Sequence, residues 1–117
     1  MTDVERQGVD PRMSQVVVFG DLIWLSGQCG TAFDSTANQA RDALEKIERY
    51  LSEAGSEKSR ILSTAIWLTD ISDYDAVNEV WDAWIPAGCA PARSCGETKI
   101  GGEGYSVEII CVAAKSA

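Results

Sequence analysis

Four stretches of this chain are apolar at consecutive rather than alternate positions: VVVF (16–19), LIWL (22–25), AIWL (65–68) and VEIICVAA (107–114). Strand side chains point alternately to the two faces of a sheet. A sheet built from these segments is therefore apolar on both faces, and each face needs a cover. The chain offers two amphipathic helices for the task. In the first, Ala37, Ala40, Leu44, Ile47, Leu51 and Ala54 recur at intervals of three and four residues. In the second, Tyr74, Val77, Trp81 and Trp84 follow the same spacing. Two helices cover one face. The other would be an apolar patch too large for a monomer, so the pattern predicts a homo-oligomer that buries it.

The remaining segments set the order of elements. VVVF, a Gly-containing turn and LIWLS read as a β-hairpin. GQCGTAF (27–33) is a loop, and Asp34, Ser35 or Thr36 can cap the first helix, which Gly55 ends. SEKSR (56–60) is a polar connector and ILSTAIWLT (61–69) a strand. Ser72 and Asp75 form an S-x-x-D cap for the second helix, and Pro86, Gly88 and Pro91 terminate it. ARSCGETKI (92–100) and YSVEIICVAA (105–114) are the final strands, joined by GGEG. Residues 1–14 are polar and read as an irregular lead-in. The 117 residues thus predict a single domain over 1–117 with the order β-β-α-β-α-β-β. Its class is α+β, a sandwich with two helices on one face of a mixed sheet.

Charge and composition narrow the functions. Ten basic residues stand against eighteen acidic ones, a net charge of −8. Binding to nucleic acid is driven by Lys and Arg neutralising phosphates, so a general nucleic-acid role is not expected. No apolar run approaches the roughly 20 residues of a membrane helix. MTDVERQGVDPR lacks the apolar segment of a secretory signal, and the expected compartment is the cytoplasm. The chain has no histidine, which removes catalytic schemes built on Ser-His or Cys-His pairs. Cys29, Cys89, Cys95 and Cys111 form no C-x-x-C pair. Neither a zinc site nor a disulfide is expected from them.

Within these limits the segment CAPARSCGETKI (89–100) is the most suggestive. Along its strand Arg93, Cys95 and Glu97 share one face, while Ser94, Gly96 and Thr98 share the other. In the last strand Glu108 lies between Val107 and Ile109, and its own face carries Ile110 and Val112. A carboxylate in such company is costly unless paired or hydrogen-bonded. Arg93 and Glu108 fall on consecutive strands and read as neighbours. One reading is a structural ion pair at an oligomer interface. The other is a site for a small anion, in which Arg93 clamps a carboxylate, Glu108 positions or deprotonates a water, and Cys95 lines the pocket. Taken alone, Cys95 reads as a small buried hydrophobe.

LSGQ (25–28), the long segment from QARDALEK to WDAW (39–84), PARSC (91–95) and YSVEII (105–110) together resemble the RidA (YjgF/YER057c/UK114) family of enamine/imine deaminases. The chain is most similar to a short, divergent YoaB-like branch, and the resemblance covers nearly everything after residue 12. It implies a chorismate-mutase-like protomer and a homotrimer, with the sheets forming an inner barrel and ligand pockets lying between subunits. It implies that Arg93 binds the substrate carboxylate, that Cys95 lines the pocket and that Glu108 holds the hydrolytic water. It also places the backbone at Gly27 and the side chain of Asn78 near the ligand. The implied reaction needs no metal and no organic cofactor. It hydrolyses 2-aminoacrylate or 2-iminobutyrate, released by pyridoxal-phosphate enzymes, to a 2-keto acid and ammonia. Two departures bear on the substrate. Met13 stands where usual members carry a pocket tyrosine, and the loop between SGQ and the first helix is shorter. An alternative is a non-catalytic trimer that binds a small carboxylate as a sensor or regulatory partner. A ribonuclease or translation-inhibitor role, attached to some relatives, is disfavoured by the charge and the absence of histidine.

Overall fold

A computed structural model describes residues 3–116. Its strands are β1 (Val4–Val9), β2 (Ser14–Phe19), β3 (Leu22–Leu25), β4 (Ile61–Leu68), β5 (Ala92–Glu97) and β6 (Val107–Ala114). Its helices are α1 (Thr36–Glu53), between β3 and β4, and α2 (Tyr74–Trp84), between β4 and β5. All six strands form one sheet in the order β1-β2-β3-β6-β4-β5. The β4–β5 pair is parallel and the others are antiparallel. Parallel neighbours require a crossover connection, and α2 supplies it. Among the described residues no helix is long and apolar enough to cross a membrane.

The first strand corrects the expectation of an irregular lead-in over 1–14. β1 pairs with β2 from Val4 opposite Phe19 to Val9 opposite Ser14. VERQGV lacks apolar alternation because β1 is an edge strand that neither helix covers, and five of its six residues are exposed. The turn that folds it back is written in Asp10-Pro11. The Asp10 carboxylate accepts hydrogen bonds from the amides of Arg12 (2.7 Å) and Met13 (3.0 Å), and the Asp10 amide donates to the Met13 carbonyl at 2.9 Å. Asp at the first position of a turn with Pro at the second is a strong turn signal.

The two-faced apolar pattern holds. Val16, Val18, Ile23, Ile66, Leu68, Ile109 and Cys111 point to the helix side and are buried. They meet Ala40, Leu44, Ile47 and Leu51 of α1 and Val77, Val80 and Trp81 of α2. The opposite face carries Val17, Phe19, Leu22, Trp24, Trp67, Ile110 and Val112, each half-buried or exposed in the single protomer.

The ends of α1 follow the sequence signals. The Ser35 hydroxyl accepts from the Asn38 amide at 3.2 Å. At the other end Gly55 takes φ 83°, its amide donates to Ser52 O, and the Ser56 amide donates to Leu51 O at 2.8 Å. This is the paired bonding of a Schellman motif. The start of α2 differs from the S-x-x-D expectation. Ser72 lies in a short 3-10 turn (Ile71–Asp73) whose Asp70 carboxylate accepts from the Ser72 amide at 2.9 Å, and the helix proper begins one residue later. Asp70 therefore takes the capping role at this junction.

Cys111 lies fully buried beneath α1, with the Thr64 hydroxyl 3.4 Å from its sulfur. Burial pushes the thiol up to about 11, against an ordinary value of 9.0. The folded chain therefore holds this proton where the unfolded chain has lost it. The resulting stability is fully present below pH 9 and is lost as pH rises toward 11. Denaturation at pH 8 and at pH 10.5 should show the wild type losing about 2 kcal/mol more than Cys111→Ala. Equal losses would mean that the thiol is not sequestered.

Candidate functional site

β5 sits at the edge of the sheet, and its register puts Arg93 opposite Thr64 and Cys95 opposite Ile66. Residues opposite one another on a ladder share a face. Thr64 and Ile66 are buried under the helices, so Arg93 and Cys95 point to the helix side. There α2 meets the arginine. The guanidinium donates a hydrogen bond to Asn78 Oδ1 and lies 5.5 Å from the ring centroid of Trp81 and 6.0 Å from that of Tyr74. Asn78 fixes its orientation, and the rings turn their electron-rich faces to the cation. Among the described residues the only ion pair is Lys58–Glu48, at 3.4 Å. Arg93 is thus a half-buried cation with no counter-ion, and a guanidinium has N–H donors well beyond the one Asn78 uses. Cys95 packs against the core beside it as a free, half-buried thiol.

Glu108 stands on β6 directly opposite Trp67 of β4, on the face the helices leave open. A bridge between Gln28 and Ile109 lays the segment after β3 alongside β6. Its two hydrogen bonds measure 2.8 and 3.0 Å. The Glu108 side chain lies across Gly27: a Cβ built there would fall 2.6 Å from Glu108 Oε1 and 2.7 Å from its Cδ. A side chain at position 27 would push the Glu108 carboxylate aside, so the glycine of LSGQ is what lets it lie there. Gln28 is buried and donates to Gln15 Oε1 (2.8 Å) and to Ser26 O (3.0 Å), tying the segment to β2. The Ser26 hydroxyl donates to Ser14 O. Met13, the residue before Ser14, therefore lies at the same end of the sheet as Gly27, and it is 40% exposed. Burial first, and then the Glu108 charge, raise the Cys29 thiol above its ordinary value. Lys46, whose ammonium donates to Cys29 O at 2.8 Å, acts the other way.

The expectation that Arg93 and Glu108 are neighbours is overturned. β4 lies between β5 and β6, and the two side chains point to opposite faces of the sheet. Their strands are consecutive in sequence but not adjacent, because the last strand enters on the far side of β4. The ion-pair reading therefore fails within the protomer. Two half-sites stand in its place. One is Arg93 with Asn78 and Cys95 on the helix side. The other is Glu108 on Gly27, with Met13 at the same end, on the open side. Nothing in the spacing of Tyr74 and Trp81, which read as core residues, signals that they face the guanidinium. Trp67 was also unmarked. Its indole lies over Gly96 of β5 on the open face, where a Cβ would come within 3.1 Å of the ring. Among the described residues no group of three or more Cys, Asp or Glu side chains converges as a metal site would require.

The sequence model of the family described as Endoribonuclease L-PSP matches residues 8–115. The chain is 36% identical over 115 residues to the RutC family protein YoaB of Escherichia coli (strain K12), covering 95% of this chain and 97% of that protein. It is 31% identical over 112 residues to a RutC family protein of Haemophilus ducreyi, covering 95% and 96% respectively. Among solved structures, a member of the YjgF protein family from Neisseria meningitidis superposes with a TM-score of 0.95 at 40% identity, over 98% of this chain and 97% of that one. A YjgF/YER057c/UK114 family member from Mycobacterium tuberculosis does so with a TM-score of 0.85 at 30% identity, over 97% and 99%.

The contact between Glu108 and the Cys29 loop has a direct readout. Removing the carboxylate charge in Glu108→Gln should lower the Cys29 pKa and speed alkylation of that thiol at mildly alkaline pH, followed site by site by mass spectrometry. An unchanged rate at Cys29 would show that the carboxylate does not face this loop in solution.

Proposed function

The chain belongs to the YjgF/RutC family, the family whose model is described as Endoribonuclease L-PSP, and from that premise we propose that it hydrolyses small 2-imino and 2-enamino carboxylates to 2-keto acids and ammonia. The observation that carries the reading is Arg93: a half-buried guanidinium, oriented by Asn78 and backed by Trp81, with no carboxylate of the described chain to neutralise it. Such a group suits the carboxylate of a ligand, which it can engage through two parallel N–H···O bonds.

The chemistry asks little more. An enamine first takes a proton from solvent at carbon and becomes the iminium, the same species as a protonated imine. Glu108 accepts a proton from water as the oxygen attacks the C=N carbon, giving a neutral tetrahedral carbinolamine. Glu108 hands that proton to the nitrogen, the C–N bond breaks and ammonia leaves, and the hydroxyl gives its proton back to Glu108, and from there to solvent, as the carbonyl forms. Water is the only co-reactant. The imine is already electrophilic, so fixing its carboxylate and aiming one water supplies most of what catalysis needs. Neither histidine nor an activated thiol is called for.

Arg93 and Glu108 lie on opposite faces, about two strand spacings apart across the sheet and three residues apart along it, roughly 14 Å in all, too far for one small substrate to join them within a protomer. This supports a site shared between copies, with Arg93 from one and Glu108 from another. The open apolar face that includes Trp24, Trp67 and Val112 supports the homotrimer that would bring them together. The description of the family names an endoribonuclease. A net charge of −8 and the absence of histidine favour the imine reading over RNA cleavage for this chain. Met13 favours one second reading. A thioether in place of a pocket hydroxyl suits a trimer that binds a keto acid without turning anything over.

The test generates 2-aminoacrylate and 2-iminobutyrate in situ with a pyridoxal-phosphate dehydratase, in competition with a semicarbazide trap. Wild type should divert the imine to keto acid. Arg93→Ala should lose about 10- to 150-fold in kcat/KM, the equivalent of one charge-assisted bidentate contact. Glu108→Gln should lose about 100-fold or more in kcat with little change in KM. Full activity in Arg93→Ala would overturn the reading. Thermal stabilisation by a keto acid without any turnover would move the assignment to the binding module.

A further inference from the structure

The helical side of the molecule carries a second concavity, away from both half-sites. The flank of α2 bearing Asn78 and Trp81 faces Arg93. The flank bearing Glu79, Val80 and Ala83 faces α1, and between the two helices runs a groove of about 400 Å³. Leu44, Val80 and Trp84 form its apolar lining. Its rim is acidic, with Glu45 and Glu48 on α1 and Glu79 on α2.

Three observations define what suits it. First, Glu45 and Glu79 stand on opposite walls, and neither has an ion-pair partner among the described residues. Arg41, on the same rim, is turned to Asn38 Oδ1 at 2.8 Å. Second, the chain already lodges an amine at one end. The Lys58 ammonium lies 3.4 Å from Glu48 and 5.4 Å from the centroid of the Trp84 ring. A carboxylate and an indole face are thus arranged there as a receptor for an ammonium group. Third, the groove is short and has cations at both ends. From Arg41 to Glu48 is seven residues along α1, about 10 Å of helix axis, with Arg41 at one end and Lys58 at the other. A long cationic helix or a polyamine would meet both charges, whereas a compact monocation between Glu45 and Glu79 meets only Arg41, one helical turn from Glu45 and already turned to Asn38. The volume also falls at the small-ligand end of the usual range for binding pockets.

We propose that this α1–α2 groove binds a small protonated amine with an apolar body. The ammonium lies between Glu45 and Glu79, and the apolar part rests on Leu44 and Val80 against the Trp84 indole. The inference does not depend on the proposed hydrolysis, since none of the groove residues belongs to either half-site.

The test is a titration of the isotope-labelled full chain, followed by NMR at the Trp84 indole N–H and the Val80 methyls. The probe is 2-phenylethylamine, and 2-phenylethanol is its neutral counterpart. The amine should give saturable shifts at both reporters, and the alcohol should bind at least about tenfold more weakly. Glu45→Gln and Glu79→Gln should each weaken the amine about two- to fivefold, as exposed charge contacts do. Added salt should weaken it further. Arg93→Ala, on the other flank of α2, should leave the binding unchanged. Equal affinity for amine and alcohol, insensitivity to the double Glu45→Gln/Glu79→Gln change, or shifts confined to the Arg93 side would overturn the proposal. So would saturable binding of a cationic amphipathic helical peptide in the absence of any amine binding, which would make the groove a docking site for a macromolecule.

Discussion

The pairing of β4 with β6 at the centre of the sheet is the constraint from which the rest of the arrangement follows. These two strands are the longest, at eight residues each, and both run apolar on both faces. Their helix-side residues, among them Ile66, Leu68, Ile109 and Cys111, form the floor on which α1 and α2 pack. Once β6 lies against one edge of β4, the strand that follows α2 must take the other edge, where it runs parallel. β5 is thereby forced to the rim of the sheet. Arg93 and Glu108 are then separated by β4 and assigned to opposite faces. Any site that draws on both residues has to accommodate that separation.

Much of this was legible from periodicity. The two stripes of α1 and α2, the Ser35 cap, the Gly55 stop and the apolar double face all depend on local patterns that the structure leaves intact. What periodicity does not carry has a different cause. β1 has no apolar signal of its own, because an uncovered edge strand needs no alternation, and its mark in the sequence is the Asp10-Pro11 turn rather than the strand. Arg93 and Glu108 fall on consecutive strands, yet order in sequence does not fix order in a sheet once a parallel crossover intervenes. Gln28 illustrates a third kind of gap. In sequence it is one letter of LSGQ. In the fold it is a buried amide whose two hydrogen bonds hold the Gly27 segment where Glu108 can lie across it, and no spacing rule reports such a contact.

The candidate site itself was legible as a set of residue types but not as a geometry. Arg93, Asn78 and Cys95 do come together on one side, and Gly27 and Glu108 on the other. The aromatic backing of Arg93 by Trp81 and Tyr74 emerges only because α2 crosses over β5. Trp81 therefore has two tasks. It is buried in the core, 4% exposed, and it also turns a ring face to a cation. A substitution there would disturb the core and the seat of Arg93 together, which separates it from Asn78, whose bond to Arg93 is polar and only half-buried.

The absence of a counter-ion for Arg93 is an energetic choice with a chemical consequence. Half-burying a guanidinium costs desolvation free energy, and a carboxylate placed opposite would offset much of that cost. The described chain instead offers the neutral oxygen of Asn78 and two ring faces, which stabilise the cation without cancelling its charge. A fixed internal carboxylate would have to be displaced by any anionic ligand before binding, so that the ligand's gain would be spent on breaking the pair. With neutral partners the arginine is held in place, yet its charge and most of its N–H groups remain for an incoming carboxylate. The chain is strongly acidic overall, with a net charge of −8, and so has many carboxylates that could have been placed there. Yet among the described residues only Lys58 has an ion-pair partner, so what sets Arg93 apart from the other arginines is its half-burial and its neutral partners rather than the missing carboxylate.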